Sequence, residues 1–244
     1  MKRWIWEEVI GLLLILMVFL AAKFGMTRTV SAEVQLHKNA DNQKTAENRE
    51  QTYVVVLDAG HGGNDPGKVG IDGSLEKDIN LEIALRLKQY LEQADVKVVM
   101  TREEDRGLYE DEDNGKKAAD MRNRCARINE SGADLAVSIH QNSYHEEEIS
   151  GGQVFYYKDS ANGKKLAEVL QKRFTYVLGD RNRRLAKANG NYYLLLHVRC
   201  PIVIVECGFL SNRSEAAMLQ NDVYQDRLAW TLHLGILEYL NGEG

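Results

Sequence analysis

The stretch Val54-Val55-Val56-Leu57-Asp58-Ala59-Gly60-His61-Gly62-Gly63 decides the fold of this chain. It opens with four consecutive apolar residues, three of them β-branched, which predict a strand that is buried on both faces. The glycines that follow predict a turn that ends the strand abruptly. Because His61 lies on that turn, we expect the strand to lead into a functional site.

Two later segments repeat this arrangement of an apolar strand followed by a reactive side chain. Leu135–Ile139 runs into His140, and Ile202–Val205 runs into Glu206. In open α/β sheets, ligands bind at the carboxyl ends of the strands. The sequence therefore predicts that His61, His140 and Glu206 converge at one edge of a sheet.

Strands alternate with helices along the rest of the chain. The segment 78–94 carries Ile79, Ile83, Leu87 and Leu91 at a four-residue step, which is typical of a helix with one buried face. The other predicted elements are strands at 96–100 and 152–157, helices at 118–130, 161–178 and 223–240, and a short apolar piece at 192–196. This alternation predicts an α/β fold, a three-layer sandwich with a largely parallel central sheet flanked by helices.

The first 32 residues have the pattern of an export segment. Lys2 and Arg3 precede an apolar run from Val9 to Ala22, and Val30–Ala32 offers a small-residue cleavage pattern. Two tryptophans and two glutamates beside the run suit a retained membrane anchor instead. Residues 1–32 are thus a signal peptide or a membrane anchor, and the protein is expected to act outside the cytoplasm, secreted or attached to the membrane.

Residues 33–51 are rich in Asn, Gln, Lys and Glu without an apolar period, which predicts a polar linker before a catalytic domain at 52–244. The net charge of -5 gives the chain no basic footprint, which argues against nucleic acid as a partner. Three cysteines are too few for a disulfide framework.

A metal site at the predicted sheet edge would need one more ligand beside His61 and His140. Catalytic zinc typically takes three protein ligands, and two histidines with one glutamate are a standard set. Glu76 follows the first glycine loop and opens a predicted helix, so it is held near His61. The alternative is a carboxylate that stabilises a helix N-terminus, and spacing alone leaves both interpretations open.

Glu206 suits a different role, because it ends a hydrophobic strand. Partial burial raises the pKa of a carboxyl toward neutrality, where it can carry protons in a hydrolysis. The alternative is a carboxylate paired with backbone amides or with an arginine.

Two further patterns compete for a function. Gly62–Lys68 fits part of a phosphate-binding loop, but Val69 stands where magnesium needs a hydroxyl and Pro66 lacks an N–H. The acidic segment 103–117 lacks the alternating ligand spacing of a calcium loop, so we interpret it as a solvated lid or insertion.

Several motifs together identify a family resemblance. They are Leu57–Gly63, Leu75–Asp78, Thr101–Arg102, Ser138–Ser143 and Val205–Asn212. These motifs, spread in this order over residues 54–240, resemble those of the zinc-dependent N-acetylmuramoyl-L-alanine amidases of the type-3 family, which hydrolyse the cell wall. The short N-terminal segment and the single domain look most like the germination-specific members from spore-forming bacteria.

Carried over residue by residue, the resemblance implies that His61, Glu76 and His140 bind Zn²⁺ and that Glu206 is the catalytic carboxylate. It implies hydrolysis of the amide between N-acetylmuramic acid and L-alanine in peptidoglycan, with a role in forming muramic δ-lactam in the spore cortex. It also leaves room for an activating lipoprotein or another accessory protein, and for action in the cell wall or the forespore intermembrane space.

Two other functions stay open at this point. A zinc peptidase or carboxypeptidase acting on stem peptides would use the same ligand set, and a non-catalytic peptidoglycan-binding protein would need only the cleft. The products of a muropeptide digest distinguish the three.

Overall fold

A computed structural model describes residues 52–110, 113–179 and 182–242. The predicted export segment 1–32 and the linker 33–51 lie outside the described residues. Within the described ranges, no helix combines the length and the apolar composition that a membrane crossing requires.

Strands and helices alternate as the sequence predicts. The strands are β1 (Val54–Ala59), β2 (Lys97–Met100), β3 (Leu135–Asn142), β4 (Gln153–Tyr157), β5 (Lys187–Asn189) and β6 (Ile202–Phe209). The helices are α1 (Glu76–Gln93), α2 (Lys116–Glu130), α3 (Ala161–Leu178), α4 (Tyr193–His197), α5 (Arg213–Leu219) and α6 (Asp222–Leu240). The sequence did not indicate β5 or α5, and the apolar piece at 192–196 is the short helix α4.

The strands form one mixed sheet in the order β2-β1-β3-β6-β4-β5. Pairing is parallel from β2 through β6, antiparallel between β6 and β4, and parallel again between β4 and β5. The predicted α/β fold with a largely parallel sheet is therefore confirmed, with β4 and β5 reversed relative to the other four strands.

Successive residues of the central strands face opposite sides of the sheet, as the pleat requires. Val55 and Leu57 belong to a core with residues of α1, α3 and α6, whereas Val56 belongs to a second core with residues of α2 and α4. These two cores on one sheet make the predicted three layers. The cysteines at 125, 200 and 207 are unpaired.

The order of the strands brings the predicted site together. Strands β1, β3 and β6 are neighbours and run parallel, so their carboxyl ends share one edge. His140 and Glu206 are register partners across β3 and β6. Both strands continue past these residues, to Asn142 and Phe209, so neither side chain is the last of its strand.

Candidate metal centre

His61 lies on the turn after β1 in a backbone conformation that L-residues rarely adopt. Its φ of 63° is in the left-handed region, and Gly62 and Gly63 also have positive φ. Such a conformation is costly for a non-glycine residue and persists where the surroundings hold it. The guanidinium of Arg124 is part of that support, because its Nη2 donates to the carbonyl of His61 at 2.6 Å.

Three side chains meet beside this turn and could hold a metal ion. His61, Glu76 and His140 each direct one ligand atom into a group whose members lie within 4.8 Å of one another. The Nε2 atom of His61 lies 3.2 Å from Oε2 of Glu76, and the Nδ1 atom of His140 lies 3.0 Å from Oε1. One carboxylate thus links the two imidazoles, one from the turn after β1 and the other from β3.

Glu76 is the first residue of α1, and only 2% of its surface is exposed. Burial opposes ionisation of its carboxyl, but hydrogen bonds from His140 and His61 hold its pKa well below the usual range. Backbone N–H groups of Lys68 and Gln141 also donate to it, at 2.7 and 3.1 Å. A carboxylate that only stabilised the helix end would not need to face both histidines.

The second nitrogen of His61 is also held. Its Nδ1 atom lies 2.9 Å from Oδ2 of Asp65, whose other oxygen accepts from the backbone N–H of Gly67. This contact leaves Nε2 facing Glu76. A carboxylate on the far nitrogen is the usual partner of a metal-binding histidine, because it fixes the ring and its tautomer.

Glu206 is 8% exposed, and no group of the described ranges gives its Oε2 atom a hydrogen bond. Burial raises the pKa of its carboxyl to about 7, against the lowering effect of the charge on His140. The sequence left open that amides or an arginine neutralise this carboxylate, but within the described ranges no such group contacts Oε2. A buried, unpartnered carboxyl near neutrality is typical of a group that exchanges protons with a ligand.

These four side chains line one cleft of about 510 Å³. The donor set fits a divalent metal, since two imidazoles and one ionised carboxylate with ligand atoms within 4.8 Å of one another are a standard ligand set for catalytic zinc. The phosphate-loop interpretation of Gly62–Lys68 does not fit, because the N–H groups of Gly62, Asp65, Gly67 and Lys68 all donate within the site.

A family model described as N-acetylmuramoyl-L-alanine amidase matches residues 55–238, which is most of the chain and a range that includes these four residues. The chain belongs to this amidase family.

Similar proteins agree with that membership. The germination-specific N-acetylmuramoyl-L-alanine amidase of Bacillus subtilis strain 168 is 40% identical over 194 residues, covering 78% of this chain and 81% of the relative. The CwlD amidase of Clostridioides difficile, solved in complex with the GerS lipoprotein, matches with a TM-score of 0.76 and 38% identity, over 78% of this chain and 100% of that chain. The catalytic domain of CwlV from Bacillus (Paenibacillus) polymyxa matches with a TM-score of 0.68 and 33% identity, over 78% of this chain and 99% of that chain.

In this amidase-family chain, a buried ionic network that sequence reasoning missed supports the His61 turn. Arg124 binds Asp58 through Nη1 at 2.7 Å and Asp120 through Nε at 2.6 Å. Burial opposes ionisation of Asp58, but Arg124 and the hydroxyl of Ser138 lower its pKa to about 2. Arg124 shares a helix face with the buried Ile128, four residues later, and that spacing was the available signal.

Arg102 gives the same turn a second clamp. Its guanidinium is buried and donates to the carbonyls of Ala59, Gly60 and Lys77 at 2.7 to 3.1 Å. It therefore ties the turn that carries His61 to the helix that carries Glu76. The position of a charged residue two places after the end of β2 was the sequence signal.

Residues 103–110 of the acidic segment pack against the glycine turn. Asp105 accepts from the N–H of Gly63 at 2.8 Å and from Nζ of Lys77 at 2.6 Å, and the hydroxyl of Tyr109 accepts from Asn64 at 3.1 Å. This part of the segment lies against the glycine turn rather than lining the cleft. These contacts agree with an insertion packed on the turn, and a role as a lid stays a prediction.

Proposed function

We propose that this chain is a zinc-dependent hydrolase that cleaves the amide bond between N-acetylmuramic acid and L-alanine in peptidoglycan. The observation that carries the proposal is the buried cluster of His61, Glu76 and His140 facing the unpartnered carboxyl of Glu206. Family membership indicates the substrate class. The cluster offers the ligands and the carboxyl that hydrolysis of an amide requires.

His61, Glu76 and His140 would hold the zinc ion, because two histidines and a glutamate are a standard catalytic set for zinc. When bound, zinc supplies Lewis-acid activation of a water and of the carbonyl to be attacked. Asp65 and the backbone N–H groups of Lys68 and Gln141 keep these ligands in orientation.

Glu206 would carry the proton. With a pKa near neutrality, its free Oε2 accepts a proton from the attacking water and then gives it to the nitrogen of the departing L-alanine. The new carbon–oxygen bond forms first, and the amide bond breaks once its nitrogen has received that proton. The second proton of the water also passes to the amine, which leaves a lactyl carboxylate on the sugar and an ammonium group on the stem peptide. Ile204, two residues earlier on the same face of β6, is buried and lines the same cleft, which limits the contact of Glu206 with water.

The biological setting follows from the relatives. A germination-specific amidase among them favours a role in the spore cortex, where removal of stem peptides precedes muramic δ-lactam formation. The CwlD structure with a lipoprotein favours an accessory protein as a partner. Both suggest that the chain acts outside the cytoplasm, as its first 32 residues predict.

Zinc content and muropeptide products test the proposal when measured together on the wild type and on Glu206→Gln, with accessory lipoprotein present and absent. We expect both proteins to bind one zinc and only the wild type to release stem peptides with a free L-alanine amine. Chelation should abolish cleavage, and zinc should restore it. Products cut within the stem peptide would instead support the peptidase alternative, and full cleavage by Glu206→Gln would remove Glu206 from the mechanism.

A further inference from the structure

Lys68 stands on the wall of the cleft, directly beside the metal cluster. Its backbone N–H donates to Oε2 of Glu76 at 2.7 Å, so the start of its side chain is fixed relative to that carboxylate. The residue is exposed and lines the cleft. The backbone of Lys68 is therefore fixed, while its side chain is able to contact a ligand in the cleft.

The three cations of the cleft lining differ in what they already bind. Arg124 is buried and committed to Asp58 and Asp120. Lys117 lies 3.5 Å from Oδ2 of Asp65, with 78% of its side chain exposed. The ammonium of Lys68 has neither an ion pair nor a hydrogen bond within the described ranges of the chain.

The charge on Lys68 also reaches the reactive part of the cleft. Burial raises the pKa of Glu206, and Lys68 is among the positive charges that lower it. An ammonium on a cleft wall that has no anion beside it attracts an anionic ligand. The cleft is therefore suited to a substrate with a carboxylate near the bond that is cut.

Reach decides which carboxylate that is. A lysine side chain extends about 6 Å from its Cα, and an extended peptide advances about 3.3 to 3.6 Å per residue. About 6 Å spans just under two such residues, so the ammonium reaches about the first two residues beyond the scissile amide. In the peptidoglycan stem, the first of these is L-alanine, which has no side-chain charge, and the second is D-glutamate, which is linked through its γ-carboxyl and keeps a free α-carboxylate.

We propose that Lys68 is a specificity-determining residue that binds the free α-carboxylate of the second stem-peptide residue. The inference rests on the proposed amidase function for the orientation of the substrate. It predicts that the protein discriminates D-glutamate from D-isoglutamine, in which this carboxylate is an amide. A charge-assisted hydrogen bond is lost in the amide, while the shape of the peptide is almost unchanged.

The test uses the full chain loaded with zinc and two L-alanyl-D-glutamyl peptides whose γ-carboxyl is amidated as in the stem, one with a free α-carboxylate and one with that carboxylate amidated. Calorimetry gives the dissociation constant of each peptide for the wild type, Lys68→Met, Lys68→Arg and, as the matched control from the same cleft, Lys117→Met. The methionine variant keeps the backbone N–H that binds Glu76, so equal zinc content across the set shows that the site is intact. KM and kcat for muropeptides that differ only in this amidation are measured in parallel.

We expect the wild type to bind the free carboxylate about tenfold more tightly, the size of one charge-assisted hydrogen bond. Lys68→Met should erase the preference and raise KM with little change in kcat, whereas Lys68→Arg and Lys117→Met should keep it. An equal preference in the wild type and Lys68→Met, or its loss in Lys117→Met, would overturn the inference. If peptide binding depends on Lys68 but no cleavage occurs, the proposed function is contradicted and this inference is not. If cleavage occurs without a preference that depends on Lys68, this inference is contradicted and the proposed function is not.

Discussion

His140 and Glu206 are register partners on the parallel strands β3 and β6. This pairing puts a side chain proposed to bind metal and a carboxyl proposed to move protons at the same level of the sheet. β6 is buried along its whole length, and Glu206 lies in it between His140 of β3 and Gln153 of β4 and lines the cleft. The fold thereby raises the pKa of one carboxyl while it keeps another, Glu76, ionised a short distance away.

Glu206→Gln should therefore stabilise the metal-free protein in a pH-dependent way. The carboxyl ionises near pH 4.5 when unfolded and near pH 7 when folded. The stability contributed by the neutral form is full below pH 4.5 and is lost as the pH rises through 7. In urea unfolding with chelator present, the wild type and the variant should have equal free energies of unfolding near pH 4. Near pH 8 the free energy of unfolding of the variant should be higher by up to about 3 kcal/mol. A constant difference across this range would contradict the burial of an ionisable Glu206.

Much of this architecture was predictable because continuous apolar runs report buried strands directly. The helix bounds 161–178 and the convergence of β1, β3 and β6 agree with the structure. The reversed direction of β4 was not predictable, since a strand has the same side-chain period in either direction. The three residues of β5 are polar or exposed, so no apolar pattern marks this edge strand.

The candidate site was predictable as a set of residue types but not as a geometry. Spacing placed Glu76 near His61, yet it could not say whether the carboxylate faces the histidines or the helix end. The ionic network behind the site was missed because charged residues are usually exposed, whereas Asp58, Arg102 and Arg124 are buried.

Asp58→Asn should lower the free energy of unfolding by about 3 to 5 kcal/mol at pH 7, because it leaves the buried guanidinium of Arg124 without one of its two carboxylates. Since the folded pKa of Asp58 is about 2, this contribution is full above pH 3.8 and is lost as the pH falls through 2. Ser138→Ala is the control, because it removes one hydrogen bond to the same carboxylate and should cost about 1 kcal/mol. Similar losses in both variants would mean that the ion pair with Arg124 matters little.

Asp65→Ala should weaken zinc binding about 10- to 100-fold without unfolding the protein, since loss of a carboxylate behind a metal-binding histidine frees its ring. Asp65→Asn keeps an acceptor for Nδ1 of His61 and should lose less affinity. Competition with a chelator of known affinity gives the dissociation constants. The neighbouring Asn64→Ala serves as the control, because the contact of Asn64 with Tyr109 is made by its backbone N–H. Unchanged affinity in Asp65→Ala would show that packing alone holds His61.

Gly60→Ala should damage the metal centre through His140. A Cβ at position 60 would lie 2.3 Å from Cε1 and 2.4 Å from Nε2 of the His140 ring, so the imidazole has to move away from Glu76. We expect zinc affinity to fall more than about tenfold and the free energy of unfolding to fall by about 1 to 3 kcal/mol, the usual cost of overpacking. Gly190→Ala is the matched control, because its nearest neighbours are the flexible carbons of Lys158 at 3.2 Å and beyond. Chelator competition and urea unfolding on the three proteins decide the outcome, and wild-type zinc affinity in Gly60→Ala would refute the tight packing of the ring against the turn.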